Sequence, residues 1–385
     1  MPIEFLGIAG LNDGGETRAR SGASFDKDYT LRFARAHEDN GWDRILFAYH
    51  SGSPDPATAA AYIASRLDHL QILLAHRPNV SYPTYAAKVF ATLDQISDGR
   101  LSVHFITGGS TADQAAEGDF LTKDERYART GEYIRIVKQA LTSRTPFSHD
   151  GEHYRFENFV SDIFPVQQPR VPISFGGSSE AAYAVGAAEA DVFALWGEPL
   201  RDTAAQIETI RAAARAAGRS TPPRIQVAFR PIIAATDALA WEKAERILGQ
   251  IEQRAAGHGV NAPAFFSAPA ENAGTQRLLE IADRGDRHDR ALWTKPARLT
   301  GGRGNSNALV GSPETVTAAL LDYIDLGVDI ISARGYDFID DTIDFGRYVI
   351  PLVRAEVASR DAAAASSVAS PSADAAPDEV RHDAA

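Results

Sequence analysis

Short apolar runs recur along the chain, separated by longer stretches in which apolar positions return every three or four residues. The runs are IEFLGIA (3–9), RILFAY (44–49), LQILLAH (70–76), LSVHFIT (101–107), VPISFG (171–176), DVFALW (191–196), IQVAFRPII (225–233) and VDIISARGY (328–336). Helical spacing predicts helices over 28–40, 57–68, 83–97, 125–142, 179–189, 200–217, 237–255, 313–326 and 340–355. Apolar strands alternating with helices predict a parallel sheet joined by crossover helices. Eight such strands within residues 1–355 fit an α/β fold, a single (β/α)8 TIM barrel with insertions. The alternative, a doubly wound open sheet, lacks the Gly-x-Gly-x-x-Gly fingerprint after its first strand.

Three segments break the alternation. Residues 108–124 interrupt the path from the fourth strand to its helix, and 144–170 read as a hairpin around Asp150-Gly151. Residues 256–311 form a long insertion containing LTGGRGNSNALVGSPE. Long excursions from a compact barrel serve as lids or interfaces. The Ala/Ser-rich segment 356–385 has no apolar periodicity and is expected to be disordered, or an arm ordered on a partner subunit.

Composition narrows the chemistry. A net charge of −12 without a basic stripe excludes nucleic acid as a partner, since phosphate backbones need clustered cations. The absence of cysteine removes disulfides, thiolate catalysis and cysteine-held metals. No His-Glu-x-x-His predicts that metal plays no part, and no Gly-x-Ser-x-Gly argues against a hydrolase. With neither a signal-peptide pattern nor about 18 consecutive apolar residues, a cytoplasmic protein without a membrane span is expected.

Active sites of such barrels lie at the C-terminal strand ends. Those ends carry Asn12, Tyr49, His50, His76, Arg77, His104, Thr107, Ser178, Ser179, Trp196, Arg230, Arg334 and Tyr336. Gly176 and Gly177 allow a sharp turn and close approach of a ligand. Ser178 or Ser179 can cap the next helix, whose free N–H groups favour a phosphate, although capping alone also accounts for Ser179. Arg230, inside VAFRPII, needs either a protein carboxylate or an anionic ligand. Trp196 reads as core or site wall. His50 opens a Gly/Pro-rich loop, and Arg303 stands at the tip of the glycine-rich segment.

The stretches LLAHRPNVSYPTYAAKVFATLDQISDGRLSVHFITGG, ERYARTGEYIRIVKQAL, ISFGGSSEAAYAVGAAEADVFALWGEP and NALVGSPETV carry a family likeness. Over residues 3–354 the chain resembles the luciferase-like, flavin-dependent monooxygenases, and within them the alkanesulfonate monooxygenases. The resemblance implies reduced FMN as cosubstrate, supplied by a separate NAD(P)H-dependent FMN reductase, O2 as oxidant, and a homodimer or homotetramer. It puts the flavin phosphate at Gly177, Ser178 and Ser179, with Tyr127 as a further contact and His104 and Thr107 beside the ring. It assigns the sulfonate to Arg303 and sets Tyr336 in the active site.

Three positions depart from the alkanesulfonate pattern: Ser53 replaces a cysteine, His104 an asparagine, and the seventh strand is rebuilt around Arg230. With Trp196, His50 and Arg334, this anion side would suit a polar sulfonate such as a sulfo-sugar, with Tyr336 or His50 moving the proton. The expected reaction is cleavage of an organosulfonate C–S bond to sulfite and an aldehyde. The alternatives are a deazaflavin (F420)-dependent oxidoreductase of the same superfamily, a monooxygenase of a non-sulfonate substrate, or a binding protein without turnover.

Overall fold

The computed structural model describes residues 3–257, 271–302 and 307–369, and each of the eight apolar runs forms a strand. The first four are β1 (Glu4–Ile8), β2 (Arg44–Phe47), β3 (Gln71–His76) and β4 (Leu101–Phe105). A hairpin follows, β5 (Phe147–Asp150) and β6 (Arg155–Phe159), as the Asp150-Gly151 pair predicts. Next come β7 (Ile173–Gly176), β8 (Val192–Trp196) and β9 (Arg224–Ile233). Three short strands of the long insertion, β10 (Arg287–His288), β11 (Leu292–Trp293) and β12 (Ala308–Gly311), precede β13 (Ile330–Ala333). The order β1-β2-β3-β4-β7-β8-β9-β13 closes back on β1, all neighbours parallel, as a TIM barrel.

Side-chain parity explains why these strands register as they do. Phe5, Ile45, Val103, Phe175, Val227 and Ile331 point outward into the helix layer, while Leu6, Leu46, Leu73, Val192 and Ile330 fill the barrel interior. A slip of one residue would exchange the two sets, so register is strongly specified. The same parity turns His104, Gly176, Trp196, Arg230 and Arg334 to the inner face, towards the C-terminal rim. At the opposite end Glu4 closes the barrel by accepting from both Arg44 and Arg224.

The outer layer contains α1 (Lys27–Asp39), α2 (Pro56–Ala64) and α3 (Pro83–Ile96), with α4 (Thr111–Ala115) a short helix of the first insertion. It continues with α5 (Lys123–Thr142), α6 (Glu180–Glu189), α7 (Leu200–Ala216) and α8 (Asp237–Gly257). The starts are chemically marked: Asp26, Asp55 and Ser179 accept from first-turn N–H groups, and Thr122 with Glu125 forms a capping box. In the long insertion lie α9 (Ala273–Arg284) and α10 (Lys295–Thr300), and α11 (Pro313–Asp325) leads into β13.

The single helix expected over 340–355 is instead two, α12 (Phe338–Tyr348) and α13 (Ile350–Ala369), which break at Val349. Helix α13 also carries the chain through 356–369, where a disordered tail or an intersubunit arm was expected. Alanine is the strongest helix former, so a low-complexity run rich in it propagates a helix already begun. The rest of the tail, and Arg303, lie outside the described residues.

Among the described residues no helix is long and apolar enough to cross a membrane, and no cluster of metal-binding side chains occurs. The first insertion is bolted to the barrel. Arg77, buried at the end of β3, pairs with Asp113 and with Glu117 at 2.7 Å, and the Tyr49 hydroxyl donates to Glu117. The long insertion grows from β9. Beyond Phe229 this strand leaves β13 and pairs with β12 from Arg230 to Ile233, adding β11 and β10 as a satellite sheet. That sheet has its own core, including Ile232, Ala244, Ile247, Trp293 and Val310.

Candidate active site

The fourth and fifth barrel strands end side by side. On the inner face His104 shares a 2.8 Å hydrogen bond through Nδ1 with Ser174 Oγ. Desolvation lowers its pKa to about 4, so it is neutral at pH 7. One turn beyond, Thr107 is buried with its hydroxyl 3.4 Å from Thr130 on α5. Gly177, at the end of β7, has φ +145°, a conformation that side-chain-bearing residues rarely adopt. A Cβ there would lie 2.6 Å from Ala182 and 3.2 Å from the Tyr127 hydroxyl. Only a glycine fits there, because the backbone packs closely against Ala182 of α6 and the Tyr127 hydroxyl.

Ser179 caps α6 by accepting from Ala182 N at 3.3 Å, and its side chain also meets the Tyr127 hydroxyl. Burial raises the Tyr127 pKa, partly offset by Ser179 and Arg126, so the phenol is a donor at neutral pH. Ser178 interacts with the hydroxyl of Tyr183, which donates to Gln206 Oε1 at 2.8 Å. Tyr127, Gly177, Ser178 and Ser179 thus fall in one place at a helix N-terminus, where N–H groups and the helix dipole favour an anion. These donors fit a phosphate. These residues would hold the phosphate of a flavin whose ring lay towards His104 and Thr107.

The expected substrate residues separate into different environments. Arg230 is 2% exposed and does not stand free for a ligand. Its Nη1 donates to Glu16 Oε1 at 3.1 Å, its Nε to Arg334 O at 2.7 Å and its Nη2 to Gly335 O at 3.0 Å. Arg334 donates to the same Glu16 carboxylate at 2.7 Å. Of the two readings open for Arg230, the buried pair with a protein carboxylate is the one found. The Arg230 guanidinium also covers the Tyr336 ring at 3.9 Å. Tyr336 is buried in the satellite core rather than standing clear in the barrel mouth, and burial raises its pKa. It borders a cavity of about 280 Å³ together with Arg18, Lys243, Arg246, Asp337 and Asp341.

His50 is exposed, and its Nδ1 accepts from Gly52 N at 3.1 Å. Ser53 Oγ donates to His50 O at 2.8 Å, so both residues brace their own loop. His76, also on the strand-end roster, bonds Tyr133 at 2.8 Å, and burial lowers its pKa to about 3. Trp196 reaches across the mouth to α9, where it packs beside Leu278, Ala282 and Ala297 and against Gly274.

Helix α9 is a canopy over the rim. Glu271, just before it, accepts from Thr111 N at 2.7 Å, and Arg277 grips Glu198 through Nε at 2.8 Å and Nη2 at 2.5 Å. Glu16, Glu198, Arg277 and Arg126 were not singled out from the sequence. Glu198 follows Trp196 in ALWGEP and Arg126 precedes Tyr127 in ERY, so adjacency to a chosen residue was the available signal.

A barrel whose rim combines a helix N-terminus surrounded by hydroxyl donors, a neutral histidine and a canopied mouth has the architecture of a cofactor-using enzyme. The chain belongs to the luciferase-like monooxygenase family, whose model matches residues 6–330. Similar solved structures include riboflavin lyase RcaE, determined with modified FMN and riboflavin, at 22% identity and TM-score 0.75, covering 93% of this chain and 92% of that one. EDTA monooxygenase EmoA from Chelativorans sp. BNC1 matches at 18% identity and TM-score 0.73, covering 93% and 95%. DmoA from Hyphomicrobium sulfonivorans matches at 19% and 0.72, covering 93% and 89%.

The depressed pKa of His104 gives a first prediction. As pH falls below 6.5 the unfolded chain takes up this proton before the folded one, so stability is lost with acid. Between pH 7 and 5.5 the loss from His104 is about 1 kcal/mol. In urea unfolding, the stability of His104→Asn relative to wild type should rise by that amount over the same interval. An unchanged difference would mean that the folded imidazole is readily protonated.

Proposed function

We propose that this protein is an FMNH2- and O2-dependent monooxygenase of a small anionic organosulfur compound. On this reading it cleaves the C–S bond of an organosulfonate and draws reduced flavin from an NAD(P)H-dependent FMN reductase. The observation that carries the proposal is the convergence of Tyr127, Gly177, Ser178 and Ser179 at the N-terminus of α6, on the rim that also holds His104. When bound, reduced FMN supplies two electrons to O2, so that one oxygen atom enters the aldehyde, the other leaves as water, and sulfite departs.

The chain's own groups have definable tasks. Ser178, Ser179 and the Tyr127 phenol hold the phosphate. Neutral His104, fixed by Ser174, orients the ring without adding charge. Trp196 and α9 exclude water from the mouth. Two arginines sharing Glu16 leave one formal positive charge at the rim, which favours an anionic substrate without contacting it directly. A similar structure described as EDTA monooxygenase fits an oxygenase of a small, highly polar molecule.

The test is sulfite release by the purified protein with FMN, NADH, a flavin reductase and O2. The panel comprises linear alkanesulfonates, sulfo-sugars and methyl sulfones. Sulfite from one member is the expected result. Oxygen-dependent turnover of another substrate without sulfite would retain the monooxygenase and remove the sulfonate. Hydride transfer to F420 without O2 would assign the barrel to the deazaflavin branch.

A further inference from the structure

A buried hydroxyl decides the state of the histidine beside it. Ser174 lies on the inner face of β7, 3% exposed, between His104 of β4 and the apolar Val192 of β8. Among the described residues its hydroxyl makes one hydrogen bond, the 2.8 Å contact with His104 Nδ1. Ser102, on the same face of β4, sends its proton instead to a sheet carbonyl, Ile72 O, at 3.1 Å. Ser174 reaches no such carbonyl among the described residues.

Two proton placements are compatible with the Ser174–His104 contact. If Nδ1–H donated to Ser174 Oγ, the serine proton would be left without an acceptor inside the barrel. If Ser174 donates to Nδ1, every donor is satisfied and only lone pairs on Oγ go unused. Stranded buried donors are rarer in native proteins than under-used acceptors, so the second placement is the one that fits. Desolvation keeps His104 neutral at pH 7, and a neutral imidazole carries one N–H, which then sits on Nε2. The Cε1 edge of the ring passes beside Gly176, where an added Cβ would stand 3.5 Å away. Beyond it, Nε2 of this half-buried ring has no hydrogen-bond partner among the described residues.

We infer that Ser174 is a positioning residue that holds His104 as the Nε2–H tautomer, so that the barrel mouth offers a hydrogen-bond donor, not a base, to an acceptor atom of the flavin ring. The tautomer follows from the chain's own residues. Only the identity of the acceptor rests on the flavin reading above. The opposite tautomer would present a lone pair at Nε2 and repel a ring carbonyl or imine nitrogen.

The experiment records long-range proton–nitrogen NMR correlations of the histidine rings in the ligand-free, full-length protein at pH 7. His104 is assigned as the signal lost in His104→Gln. Its pattern should be that of a single neutral tautomer with the proton on Nε2. In Ser174→Ala it should move towards a mixture of both tautomers, and Ser174→Thr, which keeps the hydroxyl, should restore it. Oxidised FMN should bind Ser174→Ala about 3- to 10-fold more weakly than wild type. His104→Gln, whose amide N–H replaces the Nε2 donor, should lose less affinity than His104→Leu.

A proton on Nδ1 in wild type would overturn the inference. So would an unchanged single tautomer in Ser174→Ala, which would make the contact merely structural. If His104→Leu bound FMN as tightly as wild type, the donor role would be removed. If wild type bound no FMN, the flavin reading would fall, while the tautomer, recorded without ligand, would stand or fall on its own spectrum. Should Ser174→Ala not fold, the wild-type spectrum still decides where the proton sits.

Discussion

Glu16→Gln is expected to destabilise the folded protein by about 3–5 kcal/mol, the range for removing one partner of a buried ion pair. Glu16 is 8% exposed and is shared by Arg230 and Arg334, which come from adjacent strands. Without the carboxylate, two guanidiniums confront each other in a poorly hydrated rim. Burial alone would raise the Glu16 pKa, but the attraction of both arginines outweighs it and holds the value at about 2. Stability from this shift is fully present above pH 4.5 and is lost as pH falls towards 2, amounting to about 3 kcal/mol. Urea unfolding at pH 7 measures the first quantity. A loss below about 1 kcal/mol would show that the arginines are neutralised by some other group.

Arg277→Met is expected to release the canopy. Glu198 is 1% exposed, and burial already raises its pKa despite the arginine. With Arg277 gone, the carboxyl must take up a proton or remain charged without a partner. The expected loss is about 2–3 kcal/mol, below the full buried-pair value because Arg277 itself is about one-third exposed. Hydrogen exchange should accelerate across Ala273–Arg284 and leave Val103, Phe175 and Val227 protected. Adding Glu198→Gln should restore part of the stability, since it removes the stranded charge. If exchange at α9 did not change, Trp196 and the Thr111–Glu271 contact would suffice to hold the canopy.

The barrel was legible because its information is local. Each strand is an apolar run between helical patterns, and several helix starts carry their own capping residue. The turn into α6 was legible for the same reason, since Gly177, Ser178 and Ser179 are consecutive. The substrate side was not. Glu16 meets Arg230 across 214 positions and Arg334 across 318. Nothing within the glycine-rich loop around Glu16 distinguishes it from an exposed acid. Strands β10 and β11 have two residues each, too few to show a period. The helical stretch after 355 was misread because composition was given more weight than the intrinsic preference of alanine.

The division of β9 between two sheets makes the enzyme modular. Its rungs to β13 end at Phe229, and those to β12 begin at Arg230. The insertion strands therefore contribute no rung to the closed barrel, and its register does not depend on them. The strand ends around Gly177 and His104 belong to the wall, whereas the roof is a separate part. A family built this way can change what it admits while keeping the machinery that acts on it.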